Sequence, residues 1–242
     1  MSQNRSLADA LAYLADVGYE EVYKRARRAA PRQGVPESGG PPSEPRDAAK
    51  DDAVDGLLER LAAEVATCRR CRLCEQRHRA VFGAGSSRAD LMFIGEGPGA
   101  EEDRQGLPFV GRAGDLLNKI IAAIDLRRED VYIANMVKCR PPGNRDPQPD
   151  EVAACRGYLE QQIDAIRPRV LVALGRVAAQ ALLGNATPIG RMRGQWFEVR
   201  GVPTMVTYHP AALLRNPSLK RPTWEDMQQV RDRIREAGGT GA

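Results

Sequence analysis

Sulfur and imidazole are scarce in this chain. Its 242 residues include five cysteines and two histidines. Five is an odd number for a disulfide framework. Three of the cysteines, Cys68, Cys71 and Cys74, crowd into TCRRCRLCEQR (67–77), while Cys139 and Cys155 lie far downstream. No apolar run approaches the eighteen or so residues that span a bilayer. The opening stretch, MSQNRSLADALAYLADVGYEE, lacks the basic-then-apolar layout of a secretory leader. A cytoplasmic protein with no membrane association is therefore expected, in a compartment where thiols stay reduced and clustered cysteines favour a metal over disulfides. Neither G-x-G-x-x-G nor a Walker loop occurs, so nothing supports a nucleotide cofactor. There are no internal repeats.

What is present suits a soluble globular protein. Hydrophobic residues make up 42%, enough for a core, and charged residues 28%. The formal net charge of +4 neither demands nor excludes nucleic acid, but its distribution is uneven. Arginine gathers at CRRCRLCEQRHR, at RMR and at LLRNPSLKR, whereas acidic residues dominate DDAVDGLLE. A fold that brought those basic segments together would have a basic face.

Three regions follow along the chain. Residues 5–28 have helical apolar spacing, interrupted near Gly18, and form an expected N-terminal helical segment (1–28) able to recruit a partner. Residues 29–52, rich in Pro, Gly, Ser and charge, read as a disordered linker. From 53 to 238 the pattern is that of an alternating α/β domain. DLMFIGE (90–96), VYIANMV (131–137), VLVALG (170–175), WFEV and PTMVTY (203–208) read as strands, with helices between them. The helix over 149–166 carries Pro149 near its start and two carboxylates in its first turn, which suits the helix dipole. Continuous apolar strands separated by helices imply a parallel sheet covered on both faces. The expected architecture is a three-layer α/β/α fold around a mainly parallel, four-stranded central sheet.

Ligands in such folds sit beyond the carboxyl ends of the strands, so the segments after each strand matter most. The first strand is followed by GEGPG, where Gly95, Gly97 and Gly99, with Pro98, let the backbone approach a ligand closely. Glu96 in this loop is a candidate for steering water or a cation. Glu101 and Glu102 are expected to be solvated helix N-terminal charge. Phe109 follows Pro108 in a polar loop and is either a core plug or a stacking platform. Asn135 interrupts an apolar strand. A buried amide must be hydrogen-bonded, and it either ties down a neighbouring loop or reads an amide-like edge with its paired donor and acceptor. The third strand is expected to turn straight into a helix. His209 directly follows the last strand and can donate to a developing anion. Leu213, Leu214 and Arg215 follow, as core or as an apolar wedge for a base stack. His78 is expected at the surface.

Taken together, GEGPG-x-x-ED, G-x-PFVG-x-AG-x-LL, VYIANMVKCRPP-x-NR-x-P-x-PDE and HPA-x-LLRNP resemble the family 4 uracil-DNA glycosylases, the iron–sulfur-containing group of the uracil-DNA glycosylase superfamily. The likeness runs in order from about Cys68 to Trp224 and does not cover residues 1–50. It implies a monomeric hydrolase that flips uracil out of DNA and cleaves its N-glycosidic bond in base excision repair. It assigns a [4Fe–4S] cluster to Cys68, Cys71, Cys139 and Cys155 and leaves Cys74 spare. By chemistry alone four such thiolates suit iron–sulfur or zinc equally. It also implies that Phe109 stacks on uracil, that Asn135 reads the N3/O4 edge and that His209 donates to O2. Leu213 or Leu214 would fill the vacated stack, with Arg215 on a phosphate or in the groove and Arg140, Arg145, Arg191 and Arg193 as expected contacts to the DNA backbone. Better-studied uracil glycosylases of another family carry Asp in the first motif, where this chain has Gly95-Glu96-Gly97, which makes Glu96 the candidate for the water. Two other readings compete: a non-enzymatic cluster or zinc DNA-binding module, and an α/β enzyme of free nucleotides. The first leaves Phe109, Asn135 and His209 unexplained, and the second lacks a phosphate loop.

Overall fold

The computed structural model describes residues 48–236. The helix expected over 5–28 and most of the expected linker lie outside them. The first described element is helix α1 (Ala48–Thr67). A short 3-10 turn, Arg72–Glu75, carries the cysteine-rich segment onward. Then come β1 (Ala84–Gly85), β2 (Leu91–Gly95), α2 (Ala100–Gln105), α3 (Gly111–Ala123), β3 (Tyr132–Asn135), α4 (Pro149–Ile166), β4 (Val170–Leu174) and α5 (Arg176–Leu183). The chain continues through α6 (Ile189–Met192), β5 (Trp196–Val199), β6 (Val202–Thr207), α7 (Pro210–Arg215) and α8 (Lys220–Glu236).

The strands form one sheet in the order β1-β3-β2-β4-β6-β5. Its four inner strands are parallel, as the continuous apolar runs require, and every residue of β2, β3 and β4 is buried. The expected four-stranded sheet is thus the centre of a six-stranded mixed one. β5 and the two-residue β1 add antiparallel edges, and β1 is too short to leave an apolar pattern. Side chains alternate across the strands. Leu91 and Phe93 face one side, with Leu117 and Ile121 of α3 and Met227 and Val230 of α8. Met92 and Ile94 face the other, with Leu159 and Ile163 of α4 and Ala178 and Leu182 of α5. Full burial of each large apolar side chain contributes about 1.5–3 kcal/mol. A third, smaller cluster joins Leu61 and Val65 of α1 to Leu73, Val137, Cys139, Cys155 and Tyr158.

Two local devices fix the loops at the carboxyl end of the sheet. Phe109 holds φ 50°, a left-handed conformation that costs a side-chain-bearing residue about 1–3 kcal/mol. Arg128 holds it there, donating from Nη2 to the Pro108 carbonyl (2.5 Å) and from Nη1 to the Phe109 carbonyl (3.2 Å). Gly114 of α3 abuts the same carbonyl so closely that a Cβ would overlap it.

The second device is Glu151, fully buried in the first turn of α4. Arg145 grips its carboxylate with both terminal nitrogens (2.8 and 2.7 Å), Arg72 adds Nε (3.1 Å), and the Gln148 N–H donates at 2.7 Å. One carboxylate therefore joins the loop after β3, the start of α4 and the cysteine-bearing turn. The Arg145 hydrogen bonds are the main reason its pKa falls to about 2. A carboxyl depressed on folding stabilises the fold above its ordinary pKa near 4.5, and that contribution is lost as pH falls toward 2. Glu151→Gln is expected to lower the unfolding free energy at pH 7. The gap from wild type should narrow steadily between about pH 4.5 and 2, as measured by urea denaturation across that range.

Candidate active site

β2, β3, β4 and β6 all end on one side of the sheet, and a cleft of about 540 Å³ opens there. Glu96, Gly97, Pro98, Gly99, Phe109, Asn135, His209 and Arg215 line it together. Four separate segments of sequence thus meet in one cavity. Gly95 lies beneath its floor.

The floor is set by close approach. Gly95 pairs with Asn135 across the parallel strands. A Cβ on Gly95 would overlap the Asn135 side-chain oxygen and reach within 2.7 Å of the Phe109 ring. None of Gly95, Gly97 and Gly99 has a positive φ, so these glycines supply room rather than an unusual turn. Glu102 is not the solvated charge expected. Its carboxylate accepts from the Gly99 N–H (3.1 Å) and the Val110 N–H (2.9 Å), tying the GEGPG loop to the Phe109 loop. Gly99's N–H is thereby occupied and Pro98 has none, so the loop's donors for a ligand reduce to those of Glu96 and Gly97.

Asn135 is 2% exposed. Among the described residues its Oδ1 is the one buried side-chain polar atom without a hydrogen-bond partner. Leaving such an acceptor unsatisfied costs about 1–3 kcal/mol, and it faces the cleft. His209 caps α7, and its Nδ1 accepts from the Ala211 N–H at 3.1 Å. That bond leaves the proton of the neutral ring on Nε2, as a donor. Burial, helped by nearby Arg215, lowers the His209 pKa to about 4, so the ring is neutral at physiological pH. Its centroid lies 5.4 Å from that of Phe109. Phe109 both plugs the core, at 6% exposure, and lines the cleft.

Glu96 is partly buried, and burial, reinforced by the charge of Asp146 and offset by Arg176, raises its pKa to about 7. Asp146 and Arg176 form an ion pair on the cleft wall. Sequence reading missed both. The third strand was expected to run into its helix without contributing, yet Gly175, Arg176 and Val177 line the cleft. Tyr208, Asn144 and Arg145 also line it. The only available signals were adjacency to His209 for Tyr208 and the polar composition of the loop after β3.

The remaining expected residues separate. Leu213 is fully buried in the core, whereas Leu214 is 38% exposed beside Arg215. The pair offered as a wedge therefore reduces to Leu214, because a residue packed beneath α7 cannot leave the core to enter a base stack. Arg215 is exposed, with no ion-pair partner among the described residues. Arg140 donates to Asn144 Oδ1 at 2.8 Å. Arg193 does not face outward as expected of a backbone contact. It binds Asp226 and the Pro222 carbonyl (2.6 Å), and Asp226 also accepts from Thr207 Oγ1 (2.6 Å), so its charge is neutralised inside the fold. Arg145 is likewise committed to Glu151, and Arg191 is exposed. His78 is exposed as expected and contacts buried Asp103 at 2.8 Å.

All five cysteines are free thiols and line a second, mostly apolar cavity with Arg77, Lys138 and Tyr158. Arg77 Nη1 donates to Cys139 Sγ (3.0 Å) and the Lys138 N–H to Cys155 Sγ (3.3 Å). Burial pushes the Cys139 thiol up to about 11 and raises Cys155 and Cys71. Among the described residues no three His, Cys, Asp or Glu side chains are placed to hold a single metal ion.

Comparison with known proteins agrees with this geometry. The family model described as the Uracil DNA glycosylase superfamily matches residues 82–228. A type-4 uracil-DNA glycosylase of Archaeoglobus fulgidus is 45% identical over 181 residues, covering 72% of this chain and 91% of its own. Another of that name, from Thermotoga maritima, is 44% identical over 186 residues, covering 75% of this chain and 97% of its own. A type-5 uracil-DNA glycosylase of Pyrobaculum aerophilum is 34% identical over 163 residues, covering 60% and 71%. The chain belongs to the uracil-DNA glycosylase superfamily, and within it to the type-4 group.

Proposed function

We propose that this protein excises uracil from DNA by hydrolysing its N-glycosidic bond, leaving an abasic site for base excision repair. The observation that carries the reading is the unsatisfied Asn135 Oδ1, buried in a cleft that it shares with an aromatic ring and a neutral histidine donor. A base must leave the stack to reach such a site. Uracil stacks on Phe109, and its N3–H donates to Asn135 Oδ1 while the amide nitrogen donates to O4. Cytosine, with an acceptor at N3 and a donor at position 4, would leave both partners unpaired, and sites of this kind discriminate strongly.

As the glycosidic bond breaks, charge develops on uracil O2 and on the sugar. The His209 Nε2–H donates to O2, a preorganised donor already turned by the Ala211 N–H. Glu96 carboxylate faces the sugar, stabilising its positive charge and orienting the water that adds to the anomeric carbon. The water's oxygen forms the new bond, its proton is released, and uracil departs with the bonding pair. Leu214 fills the vacated stack, and Arg215 and Arg140 meet phosphates.

The cysteine cavity fits a [4Fe–4S] cluster on Cys68, Cys71, Cys139 and Cys155. Cysteines from three separate segments meet in one mostly apolar cavity, and Arg77 and the Lys138 N–H already donate to two of their sulfurs, as the sulfurs of a cluster require. When bound, the cluster supplies cross-linking: it joins the segment after α1, the loop after β3, and α4. No helix among the described residues is long and apolar enough to cross a membrane. Free thiols suit the reducing cytoplasm. The same reading has the protein act as a monomer, with residues 1–28 as the route to a repair or replication partner.

Asn135→Ala and His209→Ala are each expected to slow excision from a single-uracil oligonucleotide about 100-fold or more. Single-turnover cleavage after alkali reads this out, and undiminished rates in both variants would refute the site. If Glu96 acts ionised, kcat/KM should rise with pH and level off above about 7, with no His209 limb above about pH 4. Glu96→Gln should flatten that rise, and a rise of the same midpoint in the variant would exclude Glu96. Finally, Arg215→Ala should lower the slope of log Kd against log salt by about one, since one phosphate contact is lost. An unchanged slope would place Arg215 off the backbone.

A further inference from the structure

Lys138 is fully buried and absent from the chemistry above. It is 1% exposed. Its Nζ donates to the Asn135 carbonyl (3.1 Å) and to Gln162 Oε1 (2.6 Å). Among the described residues it has no carboxylate partner. A buried cation without counter-charge costs several kcal/mol, so something nearby should offset it. The candidates are sulfurs. Lys138 lines the cysteine cavity, its own N–H donates to Cys155 Sγ (3.3 Å), and Cys139 is its neighbour in sequence. Asn135 and Lys138 are three positions apart, so one side chain both bonds the backbone of the residue whose amide faces the cleft and lines the cavity of the five thiols.

We propose that Lys138 is a positioning residue that couples the cluster to the uracil-reading amide. Its ammonium is the internal counter-charge to the cluster thiolates, and the same group holds the Asn135 carbonyl at the end of β3. The rest of its surroundings suit this role. Gln162 holds the ammonium from α4 and spends its own amide N–H groups on the Tyr132 hydroxyl and the Phe82 carbonyl, both at 3.0 Å. The Phe82 ring also lies over the ammonium, 5.8 Å from Nζ to the ring centroid. The other two cations on this cavity point elsewhere: Arg77 donates to Cys139 Sγ and the Ala66 carbonyl, and Arg70 lies over the Tyr158 ring. Lys138 lines the cysteine cavity and bonds the backbone of the cleft residue Asn135. The proposal rests on the cluster reading above.

The test uses anaerobically purified full-length protein and three readouts: iron and sulfide per chain, the cluster midpoint potential by spectroelectrochemical titration, and single-turnover uracil excision. Removing a positive charge beside a cluster makes it harder to reduce. Lys138→Met should shift the midpoint potential negative and slow excision about tenfold at unchanged Kd for DNA, whereas Lys138→Arg should keep the potential near wild type. If Lys138→Met does not fold, Gln162→Glu gives the ammonium a carboxylate partner and should shift the potential in the same direction. An unmoved potential at full iron content, or unslowed excision, overturns the coupling and leaves the cluster standing. No iron in the wild-type protein overturns the cluster reading and the coupling with it.

Discussion

The site depends on one pairing in the sheet. Gly95 and Asn135 lie opposite each other where two neighbouring parallel strands run out. Because Gly95 has no side chain, the Asn135 amide and the Phe109 ring come together over it. Shifting this register by one residue would turn Asn135 to the other face of the sheet and remove the cleft's floor. The other features act on this point. Glu102 ties the two loops above it, Arg128 braces the ring, and His209 enters from the end of β6.

Much of this was legible in the sequence because it follows from short-range rules. Continuous apolar runs at 91–95 and 170–174 marked buried parallel strands, and Pro149 marked the start of a helix. Polar residues that broke an apolar pattern, such as Asn135 and His209, were visible for the same reason. What sequence reading missed depends on tertiary pairing. Arg176 looks like an ordinary first helical residue until Asp146, thirty positions earlier, is brought beside it. Glu102 and Arg193 are charges of the kind that usually face water, and only the fold gives them internal partners. Leu213 and Leu214 are indistinguishable by type. The phase of a six-residue helix decides which one is core.

The cysteines show the same division. The family resemblance implied a pair and two remote partners, but not what joins them electrostatically. Glu151 holds the turn after Cys71 and the loop after Cys139 through two arginines, so the segments that carry the sulfurs are already located by ion pairs. A cross-link placed between segments already fixed in this way removes little native-state freedom. Its stabilising effect would fall mainly on the unfolded chain.

Phe109 has a different consequence. Its left-handed backbone is held by Arg128 and by the closeness of Gly114 before any nucleic acid arrives. In the stacking role proposed for it, a ring that is rigid in the free protein loses little conformational freedom when a base lands on it. The rest of the molecule bears that strain as slightly reduced stability. Substitutions that relaxed this turn would therefore make a sturdier protein with a softer platform, so selection for thermal stability and selection for rapid excision pull in opposite directions at this residue.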